Sequence, residues 1–225
     1  MLHLRRRSPK KTKQHALSYQ GRIKPQKLIT RKKLFDAIGD APISILEPYG
    51  GLGALTALYR KYLNVTAHTI LEQTPHATDL QARFPDCKVY QMNNESYPYE
   101  ETSADLIDFD SYANPWGLID TVFRKIHLTD SPRRYIAVTD GGFLDLKFHY
   151  TRMDARNAHI DDLHFTRPPY SMNFHTYILW AMQDRITKMA AKHYYKYTHI
   201  ASHAEQHNAY LTGYIEYVKD AEREQ

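Results

Sequence analysis

Short apolar runs alternate with amphipathic segments along the first two thirds of the chain. The apolar runs predict strands, and the segments between them, in which apolar residues recur every three or four positions, predict helices. The predicted strands lie at residues 43–48, 65–72, 87–92, 104–110 and 134–139, and the predicted helices at residues 27–38, 53–62, 76–84 and 115–126. This alternation predicts an α/β protein with a parallel sheet that helices cover on both faces.

The pattern changes beyond residue 142. A long amphipathic stretch predicts a helix over Phe174–Lys192, and two segments rich in Tyr, Thr and Ile predict strands at residues 195–202 and 209–218. A short polar connection separates these two strands, which indicates a terminal antiparallel hairpin.

The turn after the first predicted strand carries the clearest chemical signal. It consists of Glu47, Tyr49, Gly50, Gly51 and Gly53. Glycines let the backbone approach a ligand closely, and open α/β sheets bind ligands at the carboxyl ends of their strands. A second acid, Glu72, ends the next apolar run. We therefore predict a ligand site here, with an ordinary strand–helix turn as the alternative.

A dinucleotide-binding fingerprint is another alternative for this turn. It requires a third glycine where Thr56 stands, and an acid about 20 residues further on. An acid ahead of the glycines, Glu47, instead suits a positively charged ligand such as the sulfonium amino acid of S-adenosylmethionine (AdoMet), and Glu72 suits its ribose hydroxyls. The turn resembles motif I of the class I AdoMet-dependent methyltransferases, in the E-P-F-x-G-x-G form of nucleic-acid methyltransferases.

This resemblance implies a Rossmann-like methyltransferase fold, with a mostly parallel seven-stranded sheet that ends in a C-terminal antiparallel hairpin. It implies AdoMet as cofactor, bound by Glu47, Tyr49, Gly50, Gly51, Gly53, Glu72, Asn93 and Asn94. The two asparagines follow the third strand, where these enzymes place the residue that contacts adenine. A turn-forming asparagine pair is the alternative, and Tyr49 has a purely packing role as its alternative.

The loop after the fourth strand supplies the candidate catalytic residues Asp110, Tyr112, Asn114, Pro115 and Trp116. Amino-methyltransferases end this strand in an acceptor that hydrogen-bonds the target amine and favours its nucleophilic geometry. We assign this role to Asp110, which is also a possible base. Tyr112 or Trp116 is the predicted platform for the target base. A structural Asp that caps the next helix is the alternative.

The segment from Asp108 to Pro115 resembles the D-x-D-P-[FY]-G-S-P motif of the tRNA guanine-N2 dimethyltransferases. It keeps both acids, the aromatic residue and the last proline, and it lacks the first proline and the glycine. The resemblance implies methyl transfer to an exocyclic base amine of RNA or DNA. The missing residues keep open a non-catalytic nucleic-acid-binding protein on a degenerate methyltransferase fold; a small-molecule or protein methyltransferase is a third possibility.

Positive charge is concentrated at the N-terminus. Residues 1–33 hold twelve of the thirty Lys and Arg residues and no acid, which leaves eighteen basic residues against twenty-five acids. We predict a basic arm at residues 1–33 and a methyltransferase domain at residues 34–225. The arm residues predicted to bind nucleic-acid phosphates are Arg5, Arg6, Arg7, Lys10, Lys11 and Lys13. A solvated tail or an import signal is the alternative.

Other classes of protein receive little support. The single cysteine, Cys87, excludes a disulfide scaffold and favours a reducing, cytoplasmic compartment. No apolar run approaches the ~20 residues of a membrane span. His199, His203 and His207 are spaced as zinc ligands on a helix would be, but a strand spreads them apart, so we predict no metal site. The pattern indicates no particular oligomeric state.

Overall fold

A computed structural model describes residues 23–112, 114–126, 133–141, 174–205 and 208–218. The elements, in chain order, are α1 (Pro25–Ile38), β1 (Pro42–Glu47), α2 (Ala54–Tyr62), β2 (Asn64–Leu71), α3 (His76–Arg83), β3 (Lys88–Tyr90), β4 (Leu106–Asp110), α4 (Trp116–Lys125), β5 (Arg134–Asp140), α5 (Phe174–Lys192), β6 (Tyr195–Ala204) and β7 (Ala209–Tyr217). Two short 3-10 helices, Asn94–Ser96 and Tyr99–Glu101, lie between β3 and β4. Every predicted helix and strand is present, with its ends within one or two residues of the prediction.

The seven strands form one sheet in the order β3-β2-β1-β4-β5-β7-β6. The first five strands in this order are parallel, and β7 runs antiparallel to both β5 and β6. The predicted seven-stranded sheet with a terminal hairpin is therefore confirmed. From β1 the chain proceeds outward to β2 on one side and later returns to β4 on the other. This reversal opens a crevice at the carboxyl ends of β1 and β4.

Helices cover both faces of the sheet. Successive side chains of a strand point to opposite faces, so a strand can contribute to two cores. On one face, α4 and α5 pack on residues such as Ile107, Phe109 and Ile136. On the other face, α1 and α2 pack on residues such as Ile45 and Leu106. Apolar side chains thus alternate between two cores along β4, as a parallel sheet with two covered faces requires.

A buried ion pair attaches α1 to the sheet. Arg31 is fully buried and donates hydrogen bonds from Nε (3.0 Å) and Nη2 (2.7 Å) to the two carboxylate oxygens of Asp108. The hydroxyl of Tyr59 donates to the same carboxylate. A buried guanidinium requires such a partner. The predicted boundary after residue 33 falls inside this helix, and residues 25–33 pack as part of the fold.

Within the described ranges, no helix combines the length and the apolar character that a membrane span requires.

Candidate active site

A pocket of about 760 Å³ lies at the carboxyl ends of the central strands, within the ~300–1,000 Å³ typical of small-molecule sites. It brings together most of the residues predicted from the sequence. The predicted residues that line it are Glu47, Tyr49, Gly50, Gly51, Glu72, Asn94, Asp110 and Tyr112. Two loops separated by about sixty positions in the chain thus form one site, and Thr139 and Gly141 at the end of β5 border it.

The glycine turn is shaped by close packing and by left-handed backbone. Gly51 (φ 51°) and Gly53 (φ 73°) adopt the left-handed conformation that glycine favours. A Cβ at Gly50 would lie 2.4 Å from Cγ2 of Ile70, so a side chain there would collide with β2. A Cβ at Gly53 would lie 2.6 Å from the ring of Phe84 and 2.7 Å from Leu80, and Gly53 does not line the pocket.

Glu47 is buried at the end of β1. Its Oε1 lies 2.6 Å from Nε2 of His68 on β2, with both side chains 1% exposed. His68 therefore fixes the position of a carboxylate that also lines the pocket.

Glu72 ties the glycine turn to the segment after β2. Its Oε2 accepts a hydrogen bond from the amide of Gly51 (2.7 Å), and its Oε1 accepts one from the amide of Thr74 (2.8 Å). The carboxylate lies at the pocket wall, where the sequence predicted a ribose acceptor. Each oxygen of a carboxylate has a second lone pair, so these bonds leave capacity for a ligand.

The two asparagines after β3 have different environments. Asn93 Oδ1 accepts a hydrogen bond from the amide of Glu95 (3.1 Å), so Asn93 forms the turn at a 3-10 helix and does not line the pocket. Asn94 lines the pocket, and its buried Oδ1 has no hydrogen-bond partner among the described residues. Burial raises the pKa of Tyr49, which lies beside Ser111 and Asn94.

Asp110, at the end of β4, forms an ion pair across the pocket wall. Nζ of Lys27 lies 2.5 Å from its Oδ1, and the two side chains are 12% and 21% exposed. Burial acts to raise the pKa of Asp110, but the charge and hydrogen bond of Lys27, with help from Arg31 and the Thr139 hydroxyl, lower it below the ordinary value of 3.8. Asp110 is therefore a carboxylate at neutral pH.

The loop after Asp110 separates the two predicted stacking residues. Tyr112 is 73% exposed and lines the pocket. Trp116 is buried, and its indole N–H donates to Oδ2 of Asp140 (2.8 Å), so it packs in the core and presents no ring face to a base. The amide of Trp116 donates to Oδ1 of Asn114 (2.9 Å). Asn114, and not Asp110, therefore accepts a hydrogen bond from the first amide of α4, and Pro115 stands at the N-cap position.

Several pocket residues were missed in the sequence: Lys24, Lys27, Asn208 and Tyr210. A signal for Lys27 existed, because it stands four residues before Arg31 in a predicted helix and shares a face with it. The predicted phosphate-binding residues, Arg5, Arg6, Arg7, Lys10, Lys11 and Lys13, lie outside the described residues. Within the described ranges, no group of three or more His, Cys, Asp or Glu residues has the arrangement of a metal site.

Neither a protein-family model nor a curated protein sequence matches the chain. Solved structures do. Trm1 from Pyrococcus horikoshii, in complex with AdoMet, superposes with a TM-score of 0.65 at 12% identity, over 88% of this chain and 57% of that one. TYW2 from M. jannaschii, also in complex with AdoMet, gives 0.53 at 14% identity, over 87% and 78%. The chain has the fold of the class I AdoMet-dependent methyltransferases. Its predicted resemblance to them is confirmed at the level of the fold.

The shared fold does not decide the substrate. The ribosomal protein L11 methylase from Lactobacillus delbrueckii subsp. bulgaricus also superposes, with a TM-score of 0.52 at 10% identity, over 88% of this chain and 81% of that one. Its name indicates a protein substrate. The chain also spans only 57% of the length of Trm1. The residues of the pocket, and not the fold, therefore determine the reaction of this protein.

Proposed function

We propose that the protein is an AdoMet-dependent methyltransferase that methylates an exocyclic base amine of RNA or DNA. The observation that carries this proposal is a single pocket. Its lining combines a glycine turn flanked by Glu47 and Glu72 with a second loop that holds the carboxylate of Asp110 and the exposed ring of Tyr112. The glycine turn and its two acids suit a cationic nucleoside cofactor, and the second loop suits an aromatic amine.

The glycine turn and the acids beside it fit AdoMet. Glu47 provides a fixed carboxylate for its amino-acid group, and Glu72 provides acceptors for ribose hydroxyls. Asn94 lines the same pocket and provides an amide side chain for the edge of the adenine ring. The cofactor would supply an electrophilic methyl group bound to positively charged sulfur. AdoMet in the similar Trm1 and TYW2 structures supports the assignment.

Asp110 would orient the target amine. The lone pair of an exocyclic amine is delocalised into the base, and an acceptor on its hydrogens favours the pyramidal, nucleophilic form. Transfer of the methyl group would form the nitrogen–carbon bond and break the sulfur–methyl bond, with neutral S-adenosylhomocysteine as the leaving group. The nitrogen would become cationic and its proton acidic. Lys27 lowers the pKa of Asp110, so Asp110 is a carboxylate that can accept this acidic proton.

Tyr112 would hold the base by stacking. Its ring is exposed at the pocket mouth, two residues from Asp110. A base must leave its helical stack before such a pocket can reach its amine, and stacking on an aromatic side chain contributes about 1–3 kcal/mol. The predicted basic arm would add phosphate contacts that do not depend on sequence.

Transfer of tritium from methyl-labelled AdoMet into separate DNA and RNA pools tests this function. We expect label in one pool, and a loss of at least about a hundredfold in the Asp110→Ala chain, because an interaction made in the transition state is removed. Asp36→Ala, an exposed acid on α1, is the matched control and should retain activity.

Protection against thermal unfolding by S-adenosylhomocysteine separates cofactor binding from methyl transfer. Asp110→Ala should keep this protection because Asp110 is assigned to the substrate and not to the cofactor. If neither pool takes up label while S-adenosylhomocysteine protects the chain, nucleic-acid methylation is ruled out. A non-catalytic binding protein or a non-nucleic substrate then replaces the proposal.

A further inference from the structure

We propose that Lys27 and Asp110 form a donor–acceptor pair that reads the edge of the target base. Asp110 accepts a hydrogen from the exocyclic amine, and Lys27 donates a hydrogen bond to the ring nitrogen attached to the same carbon. Lys27 is then a specificity-determining residue contributed by α1. The inference rests on the proposed function and adds to it the feature by which the substrate is selected.

The geometry places the ammonium where a ligand can use it. Nζ of Lys27 is 2.5 Å from Oδ1 of Asp110, and both side chains line the pocket. An ammonium has three donors and no acceptor. The ion pair uses one of them, and no other hydrogen bond of Lys27 occurs in the part of the chain that the structure describes. Two donors therefore remain beside the carboxylate assigned to the amine.

The position of Lys27 is fixed by the buried pair one helical turn away. Lys27 and Arg31 are four residues apart on one face of α1, and Asp108 and Asp110 are two residues apart on one face of β4. Each cation contacts one acid, at 2.5 Å for Lys27 and 2.7 Å for Arg31. The Arg31–Asp108 pair is fully buried, so α1 cannot slide along β4 without breaking it.

The chemistry of nucleobase amines matches such a pair. In adenine, cytosine and guanine, the carbon that bears the amine also bears a ring nitrogen with a free lone pair, so a donor and an acceptor stand side by side. A carboxylate next to an ammonium presents the complementary acceptor and donor. An alkyl amine, such as that of a lysine side chain, has no adjacent acceptor. The pair thus favours a base amine over a protein amine.

Replacement of the ring nitrogen by carbon isolates the proposed contact. The labelled site is first mapped in the pool that accepts tritium. A synthetic copy of that region is then made with the natural base at the methylated position, or with 1-deazaadenine, 3-deazacytosine or 3-deazaguanine as the base requires. The ratio of kcat/KM for the natural and deaza substrates is measured for the wild type, Lys27→Met, Lys27→Arg and Lys33→Met.

We expect the wild type to prefer the natural substrate by roughly tenfold to a hundredfold, the usual effect of one hydrogen bond to a charged group. Lys27→Met should bring this ratio close to one even where both rates fall, and Lys27→Arg should retain part of it. Lys33→Met removes an exposed charge from the same helix and should keep the full ratio.

The outcomes distinguish this inference from the function on which it rests. No label in either pool overturns the proposed function. Label in one pool with equal rates on the natural and deaza substrates overturns the role of Lys27 and leaves the function standing. A preference that persists in Lys27→Met shows that another group reads the ring nitrogen, which also overturns the inference.

Discussion

Asp108 and Asp110 stand two residues apart on β4, yet their surroundings assign them different tasks. Asp108 is fully buried and accepts hydrogen bonds from Arg31 and Tyr59, which makes it a structural anchor for α1. Asp110 lies two residues closer to the carboxyl end of the strand, where the sheet stops and the pocket begins. The same side-chain chemistry is structural in the core and available to a substrate at the strand end.

Removal of Lys27 should change the pH dependence of methyl transfer. The charge and hydrogen bond of Lys27 lower the pKa of Asp110, so their removal should raise that pKa. The acceptor is active as a carboxylate, and activity is lost as pH falls through its pKa. The acid limb of kcat/KM should therefore move to higher pH in Lys27→Met and stay in place in Lys33→Met. If the wild type and Lys27→Met lose activity at the same pH, Lys27 does not control the pKa of Asp110.

Removal of His68 should weaken cofactor binding. His68→Leu removes the 2.6 Å contact that holds the carboxylate of Glu47 in place, so that the ligand has to order this carboxylate at a cost in binding free energy. We expect the Kd for S-adenosylhomocysteine, measured by calorimetry, to rise at least about tenfold. The matched control is His193→Leu, which removes the contact to Asp120 on α4 and should not change this Kd. If His68→Leu and the wild type have the same Kd for S-adenosylhomocysteine, His68 does not contribute to cofactor binding.

At the scale of elements, the sequence predicts the strands and helices well because each is bounded by a change of period or by glycine and proline. The glycine turn is equally predictable, since Gly50, Gly51 and Gly53 are close together in sequence. The contribution of α1 to the pocket cannot be predicted in this way. Its Lys and Arg residues were assigned to the arm, because a local pattern does not reveal that a cation such as Arg31 pairs with an acid 77 positions away.

The docking of α1 should depend on its buried pair. Arg31→Met leaves Asp108 buried without its cation, and breaking such a pair costs about 3–5 kcal/mol. We expect a loss of this size in the free energy of unfolding, measured by urea denaturation. The double variant Arg31→Met/Asp108→Leu removes both charges and should be more stable than Arg31→Met alone. A double variant that loses the sum of both single effects would show that the two residues are not coupled.

At the scale of the whole molecule, the basic N-terminal segment directly precedes residues that line the pocket. The described chain begins at Ile23, and Ile23 and Lys24 line the pocket wall. The basic segment that precedes them is therefore attached at the pocket mouth. A polyanion held by that segment would be kept close to Asp110, so that phosphate binding raises the local concentration of the substrate at the site.

Deletion of residues 1–22 tests this connection and preserves α1, which begins at Pro25. We expect weaker binding to the methylated polymer and a smaller slope of log K against log salt concentration. The slope should fall by about 0.7–0.9 for each phosphate that the shortened chain no longer neutralises.

The matched control is the full-length chain with Gln at the six predicted phosphate-binding residues, which should reproduce the smaller slope because the effect depends on charge and not on length. Both variants should retain thermal protection by S-adenosylhomocysteine, because the residues proposed to bind the cofactor lie outside the arm. A salt slope unchanged by the deletion would place the polyanion-binding surface on the folded domain, with the exposed Lys32 and Lys33 of α1 as the next positions to substitute.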